Sequence, residues 1–236
     1  MYGLLSGIWN LESYKIFIEG WSYMKCSFCD LKRAKRHCPA KNALICPQCC
    51  GEKRVLEIDC PETCPYLIAG REREVADYAR RIGTLDPKDH DRNSRVFHDH
   101  QDVIARLEYA IARERMSSRD LRDRDVMQAV DILLETYRTE DNGVLYEKTS
   151  EDLRIEPLRR ELRKVIESLR NQEGEAKGIV DPKSTRLPLS VAIACLECIR
   201  SMVVAYQSDK HSSSGYVDFL ARVLPRQDTS RSIVLV

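Results

Sequence analysis

Eight cysteines fall between positions 26 and 64: Cys26, Cys29, Cys38, Cys46, Cys49, Cys50, Cys60 and Cys64. No other feature restricts the fold as tightly. A segment this short buries too little apolar surface to fold unaided, and clustered thiols supply what it lacks when they bind a metal. Thiolates hold zinc best as tetrahedral fours, so eight cysteines match two closed sites and two zinc ions. "CSFC" and "CPQC" are two-residue-spaced pairs, a spacing that lets one tight turn present two sulfurs to one ion. The sixteen residues between Cys29 and Cys46 fall in the range of paired knuckles around one zinc. Iron–sulfur ferredoxin runs require a different spacing, which is absent.

The first 23 residues lack a basic n-region and carry Glu12, Lys15 and Glu19 inside any would-be apolar stretch, so no signal peptide is evident. A reducing, cytoplasmic location is expected, and there clustered cysteines favour metal over disulfides. The segment 1–23 holds both tryptophans, Trp9 and Trp21, but no cap, period or cysteine. It is expected to be a peripheral extension, with Met24 opening the functional module.

The eight ligands divide in two ways. One division places Cys26, Cys29, Cys46 and Cys49 in one site and Cys38, Cys50, Cys60 and Cys64 in the other. It is the favoured one, and it sends the adjacent sulfurs of Cys49 and Cys50 to different ions. The other takes Cys46 and Cys49 as a knuckle, "EKRVLEI" as a hairpin arm, and Cys60 and Cys64 as a pair one turn apart at a helix start. With "CSFC", "HCP", "LICPQC" and a late pair in that order, the first division resembles B-box and related cross-brace zinc modules, which interleave their ligand pairs. The chain departs from that pattern in two respects. Cysteines stand where histidines are usual, and no ligand follows a few positions after Cys38, so Cys50 must stand in. The second division resembles a treble clef. The run from Cys38 to Leu67 followed by helices is also similar to uncharacterised bacterial zinc-binding proteins, a likeness that supplies no activity.

From Pro65 onward the pattern is helical. The whole chain is expected to be mainly α: a Cys-rich module over 24–66 with short β-hairpins, then an all-α bundle of about six helices over 67–236. Val75, Tyr78 and Ile82 share a face before Gly83, and 83–95 reads as a polar linker. Val103, Leu107 and Ile111 mark a second helix. "SSRD" at 117–120 is a start signal for a third, carrying Val126, Val130, Leu133 and Tyr137. "EDNG" ends it, and "VLYE" at 144–147 suggests a short strand. Pro157 suits the first turn of a helix with Leu158, Leu162, Val165 and Leu169 on one face. Gly174 and Gly178 open a loop. The run 188–206 is apolar on every side, so it belongs at the bundle centre. A last helix over 216–224 stops at Pro225.

Outside the cluster the chemical signals are weak. Cys195 and Cys198 sit on the apolar run without a partner pair and read as buried thiols acting as small hydrophobes. In "FHDHQD" (97–102) the two histidines do not share a helix face, and the carboxylates suit a helix start. Lys32, Arg33, Lys35 and Arg36 form a basic group, a candidate contact for nucleic acid or an acidic partner. Residues 24–70 carry net +3 and residues 71–236 net −1, so whole-chain charge selects neither nucleic acid nor membrane. Phosphate loops, nucleophile elbows, dinucleotide fingerprints and metalloprotease motifs are all missing.

Zinc held by four thiolates has no open position with which to activate water. The expectation is therefore a non-enzymatic zinc protein acting as an adaptor for a protein partner, with no membrane and no small-molecule substrate. Two alternatives are a nucleic-acid-binding regulator using residues 32–36 and a redox-responsive zinc switch.

Overall fold

The computed structural model describes residues 24–83, 87–171, 186–207 and 213–224. The extension 1–23 with Trp9 and Trp21, the loop at Gly174 and Gly178, and Pro225 lie outside the described residues. Among the described residues the chain is mainly helical, with eight helices and one two-stranded sheet. It divides into two compact units, Met1–Gly70 and Arg71–Val236.

In the first unit, β1 (Arg36–Cys38) pairs antiparallel with β2 (Ala43–Ile45), Arg36 opposite Ile45 and Cys38 opposite Ala43. The reversal between them uses Asn42 at φ 46°, a conformation asparagine tolerates, and its Oδ1 lies 3.2 Å from His37 Nε2. β2 runs directly into α1 (Pro47–Lys53), whose first residue is the proline that a helix start accepts. Helix α2 (Pro65–Ile82) begins in this unit, again on a proline. Ile45, Ile58 and Leu67 are its fully buried aliphatics, a small core in which most of the other buried residues are cysteines.

The second unit holds the remainder of α2, then α3 (Pro87–Asp99), α4 (Gln101–Ser117), α5 (Asp123–Asp141), α6 (Ile155–Arg170), α7 (Leu189–Gln207) and α8 (Gly215–Val223). Helix α7 packs most extensively on α5 and also meets α3, α4 and α8, so the most apolar helix is central. It has the length and mean hydropathy, 1.7, of a membrane-crossing helix, and half of it is buried in the bundle. Helices α4, α5 and α6 complete one continuous core through Ile104, Leu107, Val130, Leu133, Leu158 and Leu162.

Three local expectations fail. The expected polar linker is helical from Pro87 onward: Pro87–Asp99 is α3, with Asp89 in its first turn and Val96 and Phe97 packed on the core. Two apolar residues near its end suffice to dock it, too few to register as a period. "SSRD" does not open a helix, because Ser117 closes α4, its Oγ donating to Arg113 O (3.0 Å). α5 begins at Asp123 instead, and there Arg122 N–H donates to Asp125 Oδ2 (2.9 Å). "VLYE" is not a strand. Val144, Leu145 and Tyr146 are exposed and pair with no strand among the described residues, while Glu147 and Lys148 are tied to Arg159, Arg163, Glu135 and Thr136.

Candidate metal centre

Two turns and one helix bring four thiols together. Cys26 lies at the head of a tight loop closed by Asp30 N–H to Cys26 O (2.8 Å) and Cys26 N–H to Lys32 O (2.9 Å). Asp30 takes φ 49° to complete it, which returns Cys29 beside Cys26. Ser27 N–H to Leu44 O (3.1 Å) and Lys35 N–H to Ile45 O (3.0 Å) fasten the loop to β2. Cys46 follows β2 directly, and its sulfur caps α1 by accepting from Cys49 N–H (3.3 Å). The sulfurs of Cys26, Cys29, Cys46 and Cys49 all lie within 4.8 Å of one another. Three of these residues are buried and Cys29 is partly open. Such a group can hold a metal, and four sulfurs in this arrangement suit tetrahedral zinc.

Backbone amides converge on these sulfurs. Burial pushes the Cys26 thiol up, but N–H groups of Cys46, Cys29 and Phe28 outweigh it and bring the thiol down to about 6. Cys29 is lowered by the N–H groups of Leu31 and Lys32. Cys49 goes the other way, to about 12, through burial and then its three neighbouring sulfurs. Four thiolates at this separation repel one another, and a dication at their centre removes that repulsion.

Cys49 and Cys50 are consecutive on α1, where successive side chains diverge by about 100°. Cys49 joins the first group, and Cys50 is left to the other side of the helix. Cys38, Cys50, Cys60 and Cys64 do not form a metal-ligand group among the described residues, though Cys60 has neighbours in common with the other three. It packs against both the cluster containing Cys38 and Cys50 and the smaller cluster of Val55, Cys64 and Leu67. Burial raises the Cys60 thiol, and the charges of Cys64, Cys38 and Cys50 add to the rise, while Val55 N–H donates to its sulfur and opposes it. Val55 itself has φ 66°, a strained conformation for a β-branched residue that costs about 1–2 kcal/mol. Sequence reasoning missed Val55, since nothing in "KRVLEI" marks a left-handed residue. Helix α1 ends at Lys53 and an isolated parallel bridge joins Arg54 to Ile58, so "EKRVLEI" is not a hairpin arm. Among the described residues the sulfurs of Cys46 and Cys49 group with those of Cys26 and Cys29, and Cys60 and Cys64 are not in that group.

Of the basic group, Lys32, Arg33 and Lys35 are exposed. Lys32 hydrogen-bonds Gln48, and the Arg36 guanidinium sits 4.8 Å from the centre of the Tyr66 ring. Cys195 and Cys198 are wholly buried, and burial pushes both thiols up to about 12. His98 lies in the last turn of α3, and His100 precedes α4 without a side-chain cap bond; neither joins a metal-ligand group among the described residues.

Fold and site together define a mainly helical protein with a four-cysteine candidate metal centre near its N-terminal end. Comparison with known proteins finds no matching family, no similar characterised protein and no similar solved structure.

Proposed function

We propose that this is a non-enzymatic zinc protein in which a two-zinc module presents a surface to a protein partner. The observation that carries the reading is the first group itself: four sulfurs within 4.8 Å, drawn from two CxxC pairs far apart in sequence. A cation there is saturated by thiolates, which suits scaffolding and leaves no site for bound water. Cys38, Cys50, Cys60 and Cys64 hold the second zinc in this reading, supported by the common neighbourhood of Cys60 and by the strained Val55 that turns its N–H onto that sulfur. The interleaved ligand order is that of cross-brace modules.

Charge favours a protein partner over nucleic acid. One zinc with four thiolates carries about −2. Two such centres outweigh the +3 formal surplus of residues 24–70, so Lys32, Arg33, Lys35 and Arg36 balance buried sulfur charge more than they offer a phosphate-binding field.

The test is elemental analysis together with cobalt substitution and native co-purification. Two zinc ions per chain, cobalt spectra of tetrahedral thiolate sites, and a protein partner lost in Cys46→Ser are expected. One ion, iron, or a partner released by nuclease would overturn the corresponding part.

A further inference from the structure

We propose that the groove between α4 and α6 is a binding site for a small aromatic anion. The groove is open to solvent, has a volume of about 540 Å³, a size typical of small-molecule sites, and lies wholly within the second unit. Arg106, Tyr109 and Arg113 stand at i, i+3 and i+7, so they line one face of α4 over about two turns. Across from them α6 offers Glu161 and Lys164.

The two ends of the groove differ. At one, Glu161 is held by Arg113 and by Lys164 Nζ (2.6 Å to Oε1), so that carboxylate is neutralised. At the other, Arg106 and the Tyr109 hydroxyl make no hydrogen bond or ion pair among the described residues. The lining holds three cations and one carboxylate, and the unpaired positive charge sits beside an aromatic ring. Ala105, Ala110 and Val165 are small and apolar, and they leave flat space between the helices where larger side chains would close it. A guanidinium for the negative group, an aromatic face and an apolar floor together select a ring carrying a carboxylate, sulfonate or phosphate monoester. A bare inorganic anion would use only the first of these, and a neutral ring only the other two.

The probe is 8-anilinonaphthalene-1-sulfonate, titrated by fluorescence against the full zinc-loaded chain. Saturable binding at one site per chain is expected, without competition from inorganic phosphate. Arg106→Gln removes one charge-assisted contact and should weaken binding roughly tenfold. Ser168→Phe, an exposed groove position, should abolish it by filling the space. Leu145→Ser, in the exposed apolar segment after α5, should leave it unchanged. All three variants are at exposed positions, and an unchanged thermal transition verifies their folding. Equal affinity for the neutral N-phenyl-1-naphthylamine, displacement by phosphate, or undiminished binding in Arg106→Gln or Ser168→Phe would overturn the proposal.

Discussion

The sulfurs of Cys29 and Cys46 lie 4.0 Å apart although seventeen positions separate them in the chain. The hairpin of β1 and β2 accounts for the return, because Cys46 follows β2 and the loop bearing Cys29 is hydrogen-bonded to that same strand. A cation between the two CxxC pairs would lock loop, strand and helix to one another.

Substitution at this junction should be felt throughout the module. Cys46→Ser removes a ligand but keeps a hydroxyl able to cap α1, so any loss reports the metal: the variant is expected to lose one zinc and unfold the module. Cys60→Ser should lose the other ion, and Cys195→Ser should lose neither, since its thiol is buried in the helical core. Zinc counted by elemental analysis after gel filtration checks all three. Loss of an ion in Cys195→Ser would mean that the bundle contributes a ligand.

The basic group should prove a poor grip for nucleic acid. If four cations bound phosphates, affinity for duplex DNA would fall with salt at a log–log slope of about −3 to −4. Weak, salt-labile binding is expected instead, and replacing Lys32, Arg33, Lys35 and Arg36 with glutamine should leave zinc content unchanged. Filter binding tighter than micromolar at physiological salt, abolished by those four changes, would revive the nucleic-acid reading.

Stability of the bundle should fall as pH rises toward neutrality. Glu108 Oε1 accepts from Tyr78 (3.2 Å) and Tyr216 (3.0 Å), yet burial dominates and lifts its carboxyl to about 7. Tyr78, Tyr216, Tyr206 and Cys198 are the titratable groups that interact with it, and all four are themselves raised, so they stay neutral in this range. A carboxyl raised on folding binds its proton more tightly in the native state, so its stabilisation is complete below the unfolded pKa and is lost as pH climbs toward 7. Asp123, raised to about 6, acts with the same sign at lower pH. Glu108→Gln should remove part of the slope between pH 5 and 8, on the order of 1–3 kcal/mol. Hydrogen exchange in α4 and α8 reports this unit separately from the metal module. Parallel pH profiles for the two proteins would count against it.

Asp123 also joins two helices distant in sequence. Its carboxylate, wholly buried, accepts from Tyr216 N–H and Val217 N–H, each at 3.1 Å, and so caps α8 from the start of α5. Asp123→Ala should cost about 1–2 kcal/mol, with the loss of exchange protection greatest in α8. Uniform loss across the bundle would mean that the cap is not the source.

How much was legible follows from the range over which each signal acts. The faces of α4, α5 and α6 were readable because helical periodicity is local: Val103, Leu107 and Ile111 recur within three turns and are all buried. The central place of α7 was readable because a helix without a polar face has nowhere else to go. Helix α3 was not readable, since only Val96 and Phe97 dock it and Asn93, buried to 1% exposure, looks like a surface residue in sequence. Arg159 misleads in the same way: it is 2% exposed and paired with Glu156, its i,i+3 neighbour, and with Glu147, which no helix spacing rule singles out.

For the candidate site, the cysteine spacings already contained the ligand types and offered the first group of four as one of two divisions, because turns and helix phase are set by neighbouring residues; only the folded hairpin brought Cys26 and Cys29 to Cys46 and Cys49. The left-handed Val55, the cap of α8 by Asp123 and the groove beside Arg106 were absent from any local pattern. Each depends on groups brought together from distant parts of the chain, or on backbone strain that surrounding packing sustains, and such contacts come into being only when the units fold.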